Sequence, residues 1–490
     1  MTMNPSEAAR PGASTPPRTA VVIGAGVAGL AAAIRLKEFG AGRVIVLERE
    51  SQPGGLAISL RYEGVKTDLG PHRIHTEIPE VERFYRDVAG ESMIRVVRKS
   101  RMRLGDRFIP YPPGVGDLLK GLGPWRLAGF AAGWAADRIA GAFGRLDPTT
   151  YEGYMRRSFG SGLYNWLLKP YTEKVWKCPT ENLDADAARV RVSAGSLARM
   201  TRRLFSLRER KGAETALKEF HYVKGGAETL VRHMADRATS LGAEILLGCE
   251  AKGFELEEDR IARILAESPE GAETIGCDAV ISTAPLPELA EMARQGGGLD
   301  DVALESARSL RYLDMIFVAV IVQREVVSGD TWLYFPGPET IFNRVYEAKA
   351  FDPEMAPRDR SVLCAEITCR PGEDAWLEPD DAIARRVVEQ LAATGLFRAD
   401  EVLSRHVHRL RYGYPVYTQR YGQKVDQALA ALARIENLVT TGRQGLFNFN
   451  NMDHSIYMGL SAAECVCTAD RPADKWLGQN EVFRGFRIVD

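Results

Sequence analysis

The stretch VVIGAGVAGL at residues 21–30 decides the fold. It places Gly24, Gly26 and Gly29 in the spacing G-x-G-x-x-G, between a β-branched strand and an Ala-rich helical stretch. A second strand follows and ends at Glu48. Strand, turn, helix and strand in this order are the context in which the glycine spacing indicates dinucleotide binding. The sequence therefore predicts a Rossmann-type βαβ unit at the start of the chain.

Each glycine of this turn has a separate physical task. Gly24 permits the tight turn, Gly26 lets the backbone approach a pyrophosphate, and Gly29 lets the helix pack closely on the strand. The helix N-terminus offers free N–H groups and a positive dipole end to the phosphates. Glu48 stands where its carboxylate can accept hydrogen bonds from both ribose hydroxyls.

Two further segments favour FAD over NAD as the dinucleotide. Gly54 and Gly55 follow the acidic residue closely, and a glycine-rich unit lies far away, at residues 440–464. In that unit Gly442 ends a strand, and Asp453 to Ser455, with His454 between them, are predicted to cap a helix whose N-terminus faces a flavin ring. A positive helix end there would stabilise negative charge on the reduced ring. A plain αβ connection is the alternative for this unit, and non-covalently bound FAD is the prediction.

Composition limits the other classes of function. A chain of 490 residues has room for two or three domains that share a cleft. Its formal net charge of −1 argues against nucleic-acid binding. The seven cysteines are scattered and lack paired spacing, which indicates reduced thiols in a cytoplasmic protein. None of the histidines has other potential metal ligands at a suitable spacing, so a metal site is not expected.

The pattern along the chain predicts an α/β fold with a discontinuous cofactor domain. Residues 1–17 lack an apolar core and are predicted to be a disordered tail. The predicted regions are an FAD-binding domain from residues 18–95, 216–300 and 430–480, a helical region at 100–215, and an antiparallel β-sheet substrate domain at 305–428.

Residues 125–146, WRLAGFAAGWAADRIAGAFGRL, form the most apolar helical stretch. Arg and Asp interrupt it, and no run reaches the length of a membrane span. An amphipathic helix packed on its own domain is favoured, and peripheral membrane contact is the open alternative.

Four segments resemble a flavoprotein group that includes UDP-galactopyranose mutases, protoporphyrinogen oxidases and monoamine oxidases. They are LGPHRIHT at 69–76, FGSGLYNWLLKPYTEKVW at 159–176, NRVYEAKAF at 343–351, and GYPVYTQRYGQKVDQAL at 413–429 with GRQGLFNFNNMD at 442–453. The likeness to the mutases is the more specific one, since it extends beyond the cofactor site. Residues 220–251 instead resemble the protoporphyrinogen oxidase and desaturase branch.

The resemblance implies a substrate site and its residues. By this likeness Tyr171 and Trp176 line a sugar-nucleotide pocket and Tyr414 touches the diphosphate. Arginines near the diphosphate and the flavin would be Arg344 and Arg443, with Arg189 or Arg191 as a looser match. Phe449 departs from the pattern, because the mutases have a tyrosine there. The missing hydroxyl puts UDP-galactose itself in doubt and leaves Phe449 as an altered substrate contact.

His72 follows Gly70 and Pro71, where the backbone can pass close to a flavin ring. Its side chain would contact flavin or substrate, or would only bind a backbone carbonyl. With Arg443 and Arg344 it completes the set of candidate catalytic residues.

Three functions stay open. The first is a mutase-like isomerase in which reduced flavin acts through N5 on an activated sugar, with NAD(P)H only as external reductant. The second is an oxidase, dehydrogenase or desaturase that transfers a hydride to flavin. The third is a flavin-carrying scaffold. The substrate is predicted to be a small molecule, and a homo-oligomer is left open.

Overall fold

The computed structural model describes residues 15–111, 113, 123–190 and 218–488. Residues 1–14 of the tail predicted at 1–17 therefore lie outside the described residues. The strands of the described part are β1 (Thr19–Ile23), β2 (Arg43–Glu48), β3 (Ser59–Tyr62), β4 (Val65–Asp68), β5 (Met93–Val97), β6 (Ser100–Leu104), β7 (Arg107–Pro110), β8 (Glu219–Val223), β9 (Ala243–Leu247), β10 (Glu250–Glu257), β11 (Arg260–Ser268), β12 (Gly271–Gly276), β13 (Ala279–Ser282), β14 (Tyr312–Val322), β15 (Trp332–Tyr334), β16 (Arg344–Glu347), β17 (Ser361–Cys369), β18 (Val402–Pro415) and β19 (Leu438–Thr440).

The helices are interspersed with these strands along the chain. They are α1 (Val27–Glu38), α2 (Pro79–Ala89), α3 (Pro124–Ala142), α4 (Tyr151–Leu163), α5 (Lys169–Trp176), α6 (Asp186–Arg189), α7 (Ala227–Ser240), α8 (Leu286–Gln295), α9 (Asp301–Arg308), α10 (Asp374–Leu377), α11 (Asp380–Ala392), α12 (Tyr421–Leu432), α13 (Gly442–Gly445), α14 (Met452–Thr468), α15 (Pro472–Leu477) and α16 (Asn480–Arg484). Within the described ranges, no helix combines the length and apolarity needed to cross a membrane.

A five-stranded parallel sheet forms the centre of the cofactor region, in the order β19-β13-β1-β2-β9. The strand VVI of β1 is fully apolar because both faces of a parallel sheet are covered. The sheet gathers strands from the beginning, the middle and the end of the chain, and the predicted α/β class is confirmed. The three segments 18–95, 216–300 and 430–480 stay our proposal for a single FAD-binding domain.

The C-terminal helix α14 lies directly on the first helix α1. A Cβ placed at Gly459 would stand 2.1 Å from the carbonyl oxygen of Ala28, so only glycine allows this approach. Gly442 makes a second close contact, since its Cβ would stand 3.0 Å from that of Ala28. The end of the chain is thus held against the glycine turn at its start.

A seven-stranded sheet in the order β18-β14-β17-β16-β15-β6-β7 covers the other side of the cleft. Strands β14 and β17 are buried along their whole length. Most neighbours are antiparallel, as expected for the substrate sheet, but β15 pairs with β6 in parallel. Strands β6 and β7 lie within residues 100–110, so the helical region predicted from residue 100 is wrong at its start. Strands β6 and β7 have only five and four residues, so the alternation of Arg with apolar residues in β6 is too short to outweigh the helical pattern that follows.

Helices α3, α4 and α5 form a layer beside this sheet. Gly160 of α4 has φ +79°, and a Cβ there would stand 2.5 Å from the Cα of Trp134 in α3. The two helices therefore touch backbone to backbone at that point. Helix α4 continues through a wider turn at Tyr164–Leu168 into α5, which carries Tyr171 and Trp176 towards the sheets.

Candidate active site

One large cavity lies between the parallel sheet, the helical layer and the seven-stranded sheet. Its volume is about 1820 Å³. Ordinary small-molecule pockets have volumes of about 300–1000 Å³. The cavity therefore has room for a large cofactor together with a substrate. The glycine turn lies at one end and the aromatic residues of α5 and β18 lie at another part of the wall.

The glycine turn has the geometry that the sequence predicts. Gly24 has φ +96°, and its N–H donates to the carbonyl of Leu47 at 2.7 Å. A Cβ at Gly29 would stand 1.9 Å from the carbonyl oxygen of Gly24, so this glycine serves helix packing. Gly26 differs from both, because its φ of −70° suits any residue and no protein atom outside its chain neighbours would lie closer than 3.9 Å to an added Cβ.

The space beside Gly26 therefore belongs to the cavity and not to the protein core. Gly26, Val27 and Ala28 line the cavity where α1 begins, and no side chain caps that helix end. Free N–H groups and a positive dipole end at a concave surface suit a pyrophosphate. The residues present thus fit the diphosphate of a dinucleotide.

Glu48 ends β2 with its carboxylate beside the turn. One oxygen accepts the N–H of Ala25 at 2.7 Å and the other accepts the N–H of Glu50 at 3.0 Å. Burial raises the pKa of this carboxyl above its usual value, and the two backbone N–H groups oppose that rise. Gly54, with φ +133°, donates to the carbonyl of Ala25 at 2.9 Å, and Gly55, with φ +57°, lies beside Gly26. All of these residues line the cavity except Ala25.

The distant glycine unit also reaches the cavity, but its helix begins differently from the prediction. Gly442 lines the cavity with φ +77°. The N-cap of α14 is Asn451, whereas Asp453 and His454 lie inside the first turn and do not line the cavity. The predicted N-cap at Asp453 is therefore wrong, whereas His454, the third residue of the helix, accepts the N–H of Asn451 through Nδ1 and completes a capping box. Asparagine caps a helix as well as aspartate does, so the run NNMD offers several starts.

An aromatic cluster forms the wall near Gly442. The ring of Phe449 lies 5.3 Å from that of Trp176 and 5.2 Å from that of Tyr414, measured between centroids. The guanidinium carbon of Arg443 lies 4.6 Å from the Phe449 ring and 5.2 Å from the Tyr414 ring. Tyr171 belongs to a neighbouring part of the same wall. The structure thus brings all four predicted substrate contacts to one cavity.

Arg443 also fixes the local backbone. Its Nη1 donates to the carbonyl of Asn450 at 2.6 Å, and its Nη2 donates to the carbonyl of Gly413 at 3.1 Å. Both acceptors are backbone carbonyl oxygens. The side chain therefore holds β18 against the turn after α13 and places a cation over two aromatic faces.

Arg344 has a different setting, because Glu366 stands opposite it in the pairing of β16 with β17. The Arg344 Nη2 lies 2.7 Å from a carboxylate oxygen of Glu366, whose side chain is 1% exposed. Burial, the largest influence, disfavours the charged guanidinium, but Glu366 together with Tyr414 and Tyr334 outweighs it, and the pKa of Arg344 is raised well above its usual value. The pair is close to neutral overall, so Arg344 adds little net charge to the cavity.

His72 lines the cavity and binds backbone carbonyls. Its Nε2 lies 2.9 Å from the oxygen of Leu56 and 3.2 Å from that of Leu69, so this nitrogen carries the proton and donates. Burial lowers the pKa of His72, which favours the neutral ring. The sequence leaves two roles open for His72, contact with flavin or substrate and binding of a backbone carbonyl. Its Nε2 takes the second role.

Arg189 does not reach the cavity. It pairs with Asp186 at 2.9 Å and lies over the ring of Tyr154, and Arg191 lies outside the described residues. Among the described residues, no group of three His, Cys, Asp or Glu side chains could hold a metal ion.

The sequence reasoning missed several cavity residues, among them Thr283, Tyr111, Tyr334 and Glu366. Thr283 follows β13, and the carboxyl ends of parallel strands meet at the ligand-binding edge. The position of Thr283 directly after β13 could therefore have identified it as a cavity residue. Tyr111 and Tyr334 meet only because β6 pairs with β15, which no local pattern shows.

Comparison with known proteins agrees with this geometry. The chain is 24% identical over 501 residues to protoporphyrinogen oxidase of Bos taurus, covering 94% of this chain and 98% of that protein. It is 30% identical over 302 residues to phytoene dehydrogenase of Streptomyces griseus, a match that spans about half of each protein, 54% in both cases. A crystal structure of reduced UDP-galactopyranose mutase superposes with a TM-score of 0.78 at 22% identity, covering 96% of this chain and 98% of that chain.

The model of flavin-containing amine oxidoreductases matches residues 27–467, from the first residue of α1 to the end of α14. This match and the glycine turn, Glu48 and the large cavity agree on a flavin dinucleotide. The chain is therefore an FAD-dependent flavoenzyme that belongs to the flavin-containing amine oxidoreductase family.

Proposed function

We propose that this protein is a mutase-like enzyme that acts on an activated sugar while its FAD is reduced. The observation that carries the proposal is the guanidinium of Arg443, which lies over the rings of Tyr414 and Phe449 in the cluster that includes Trp176, on the cavity wall next to Gly442. Aromatic faces suit a sugar or a base, and a neighbouring arginine suits a phosphate. The structural likeness to UDP-galactopyranose mutase over nearly the whole chain supports this choice.

The chain's own residues would bind and orient the substrate. Reduced FAD, when bound, supplies a nucleophilic N5 that can react at an anomeric carbon. Arg443 would stabilise the negative charge that develops on the departing phosphate, in a site where few water molecules compete. Trp176 and Tyr171 would align the sugar against the cofactor. No net oxidation occurs, so NAD(P)H would serve only to keep the cofactor reduced. The FAD would be held without a covalent bond.

A second candidate is an oxidase, dehydrogenase or desaturase. Three observations favour it. Phe449 lacks a hydroxyl that could hold a phosphate oxygen, and Glu366 cancels the charge of Arg344. Part of the cavity wall is also apolar, where Met315, Phe317 and Leu410 face it. The substrate would then be an amine, an alcohol or a saturated C–C bond that gives up a hydride.

The discriminating experiment uses FAD-loaded protein in two states. Dithionite-reduced protein is offered a panel of nucleotide sugars, and the ring isomers are separated by chromatography, with oxidised protein as the control. We expect isomerisation only in the reduced state. Oxidised protein is separately offered amines, alcohols and polyenes in air. Peroxide release with bleaching of the flavin, and no isomerisation, would select the second candidate.

Phe449→Tyr sharpens the choice, because it restores the hydroxyl without changing the ring. A new hydrogen bond to a phosphate oxygen contributes about 0.5–1.5 kcal/mol, which corresponds to roughly twofold to tenfold tighter binding of a nucleotide sugar. Phe449→Leu is the matched control, since it changes the ring and adds no donor. Equal affinities of both variants for every nucleotide sugar would argue against a phosphate at this position. A cytoplasmic location and a homo-oligomer stay predictions.

A further inference from the structure

Helix α3 carries an apolar stripe on its exposed face. Trp125 is 89% exposed, Ile139 61% and Phe143, just past the helix end, 76%. Apart from Arg126 and Arg138, the exposed positions between them are small residues, at 128, 129, 132, 135, 136 and 142. These positions recur at three- and four-residue spacing and so lie along one side of the helix. Large apolar groups exposed together in this way mark an interaction surface.

The opposite side of α3 is already packed. Phe130 lies 5.8 Å from the ring of Trp166, and Cβ atoms added at Gly160 or Gly162 of α4 would collide with α3. The packing against α4 and Trp166 therefore fixes the position of α3, and the apolar stripe on its other side stays exposed. Helix α4 in turn contributes Tyr151, Met155 and Phe159 to the cavity wall, so α3 is one helix away from the candidate active site.

The charges beside the stripe have a single sign. Arg126, Arg138 and Arg145 are exposed, and none of them takes part in an ion pair among the described residues. Residues 123–146 contain one acid, Asp137. It is 4% exposed and binds Arg156 at 2.9 Å, so it does not offset the arginines.

We propose that this stripe docks on an anionic lipid bilayer, with the axis of α3 in the plane of the membrane surface. A helix with aromatic and aliphatic residues on one side and arginines beside them suits the boundary between headgroups and acyl chains. Arginines near an anionic surface add attraction that salt weakens. A second copy of the chain fits less well, because a two-fold interface would bring the same arginines together without acids to meet them. Bilayer docking would hold the cavity wall formed by α4 next to the lipid.

The test is co-sedimentation of the full-length, FAD-loaded protein with vesicles. We expect binding to vesicles of mixed zwitterionic and anionic phospholipid, weaker binding to purely zwitterionic vesicles, and release by high salt. The double variant Trp125→Ser with Phe143→Ser should lower the partition coefficient at least about tenfold, because two large rings no longer enter the bilayer. Val302→Ser is the matched control, since Val302 is 74% exposed on α9.

A triple variant, Arg126→Glu, Arg138→Glu and Arg145→Glu, should lower binding to anionic vesicles on the order of a hundredfold or more. Flavin absorbance and circular dichroism confirm that each variant is folded. The proposal is overturned if the wild-type protein stays in solution with anionic vesicles, or if the stripe variants bind like the Val302 control. Sedimentation velocity adds a further outcome, because a dimer dissociated by the double variant, without vesicle binding, would assign the stripe to a second copy.

Discussion

Replacing Gly459 by alanine tests whether the contact between α14 and α1 builds the cofactor site. The added Cβ would stand 2.1 Å from the carbonyl oxygen of Ala28, whereas ordinary contact begins at 3.4 Å. The two helices must therefore separate by about 1.3 Å, the difference between these two distances. The obstructing atom belongs to the backbone and cannot turn away as a flexible side chain would.

Two opposing energies decide the size of the effect. Alanine is the better helix former by about 1 kcal/mol, which favours the variant. Overpacking against a fixed neighbour costs about 1–3 kcal/mol. The difference is a net loss of up to about 2 kcal/mol, and a loss of about 1.4 kcal/mol in the FAD-binding arrangement corresponds to tenfold weaker binding. We therefore expect the dissociation constant for FAD to rise about tenfold, and FAD to be released at a lower temperature.

The assay follows the fluorescence of FAD, which is quenched in the protein and recovers on release. Gly422→Ala is the matched control, because Gly422 lies in α12 and an added Cβ there meets no atom within 4 Å. This control should bind FAD like the wild-type protein. The reasoning is refuted if Gly459→Ala and Gly422→Ala bind and release FAD alike.

Three further predictions concern the turn, the substrate wall and the helix cap. Gly26→Val should yield protein without yellow colour, since its side chain would fill cavity space and not core space; unchanged FAD absorbance per protein would disprove this. Arg443→Ala should lower turnover roughly tenfold to a thousandfold on the substrate that the panel identifies, with FAD content retained, and an unchanged rate would exclude Arg443 from the reaction. His454 accepts the N–H of Asn451 through Nδ1 at 3.4 Å, and burial lowers the pKa of its ring. The folded protein therefore binds fewer protons than the unfolded chain, and it loses stability as pH falls below about 6.5. His454→Gln keeps the cap without the titrating ring, so below about pH 6.5 the unfolding free energy of this variant should fall less steeply than that of the wild-type protein, by up to about 1.4 kcal/mol per pH unit. Identical slopes of unfolding free energy against pH would contradict this role of His454.

The cofactor half of the site could be predicted from local sequence. The glycine turn and Glu48 lie within one βαβ unit, where spacing along the chain fixes spacing in space. Gly54, Gly55 and Gly442 also line the cavity. Their roles as cofactor contacts stay predictions.

The substrate half depends on contacts between distant segments. The pairing of Arg344 with Glu366 follows from the register of β16 and β17, which turn geometry and packing set and which residue types alone do not reveal. Arg344 was therefore expected near a diphosphate without its carboxylate partner. The N-cap of α14 was missed for a different reason, because both Asn451 and Asp453 are good capping residues and only the packing of the helix selects one.

The parallel sheet has a consequence for how the protein is made. Strand β1 is completed early, yet its partner β13 begins at residue 279 and the helix that covers α1 ends at residue 468. During synthesis one edge of β1 stays unpaired until the chain has been made as far as β13. Unpaired strand edges are prone to aggregate. The nascent chain cannot complete this sheet or cover α1 until the residues up to 468 have left the ribosome.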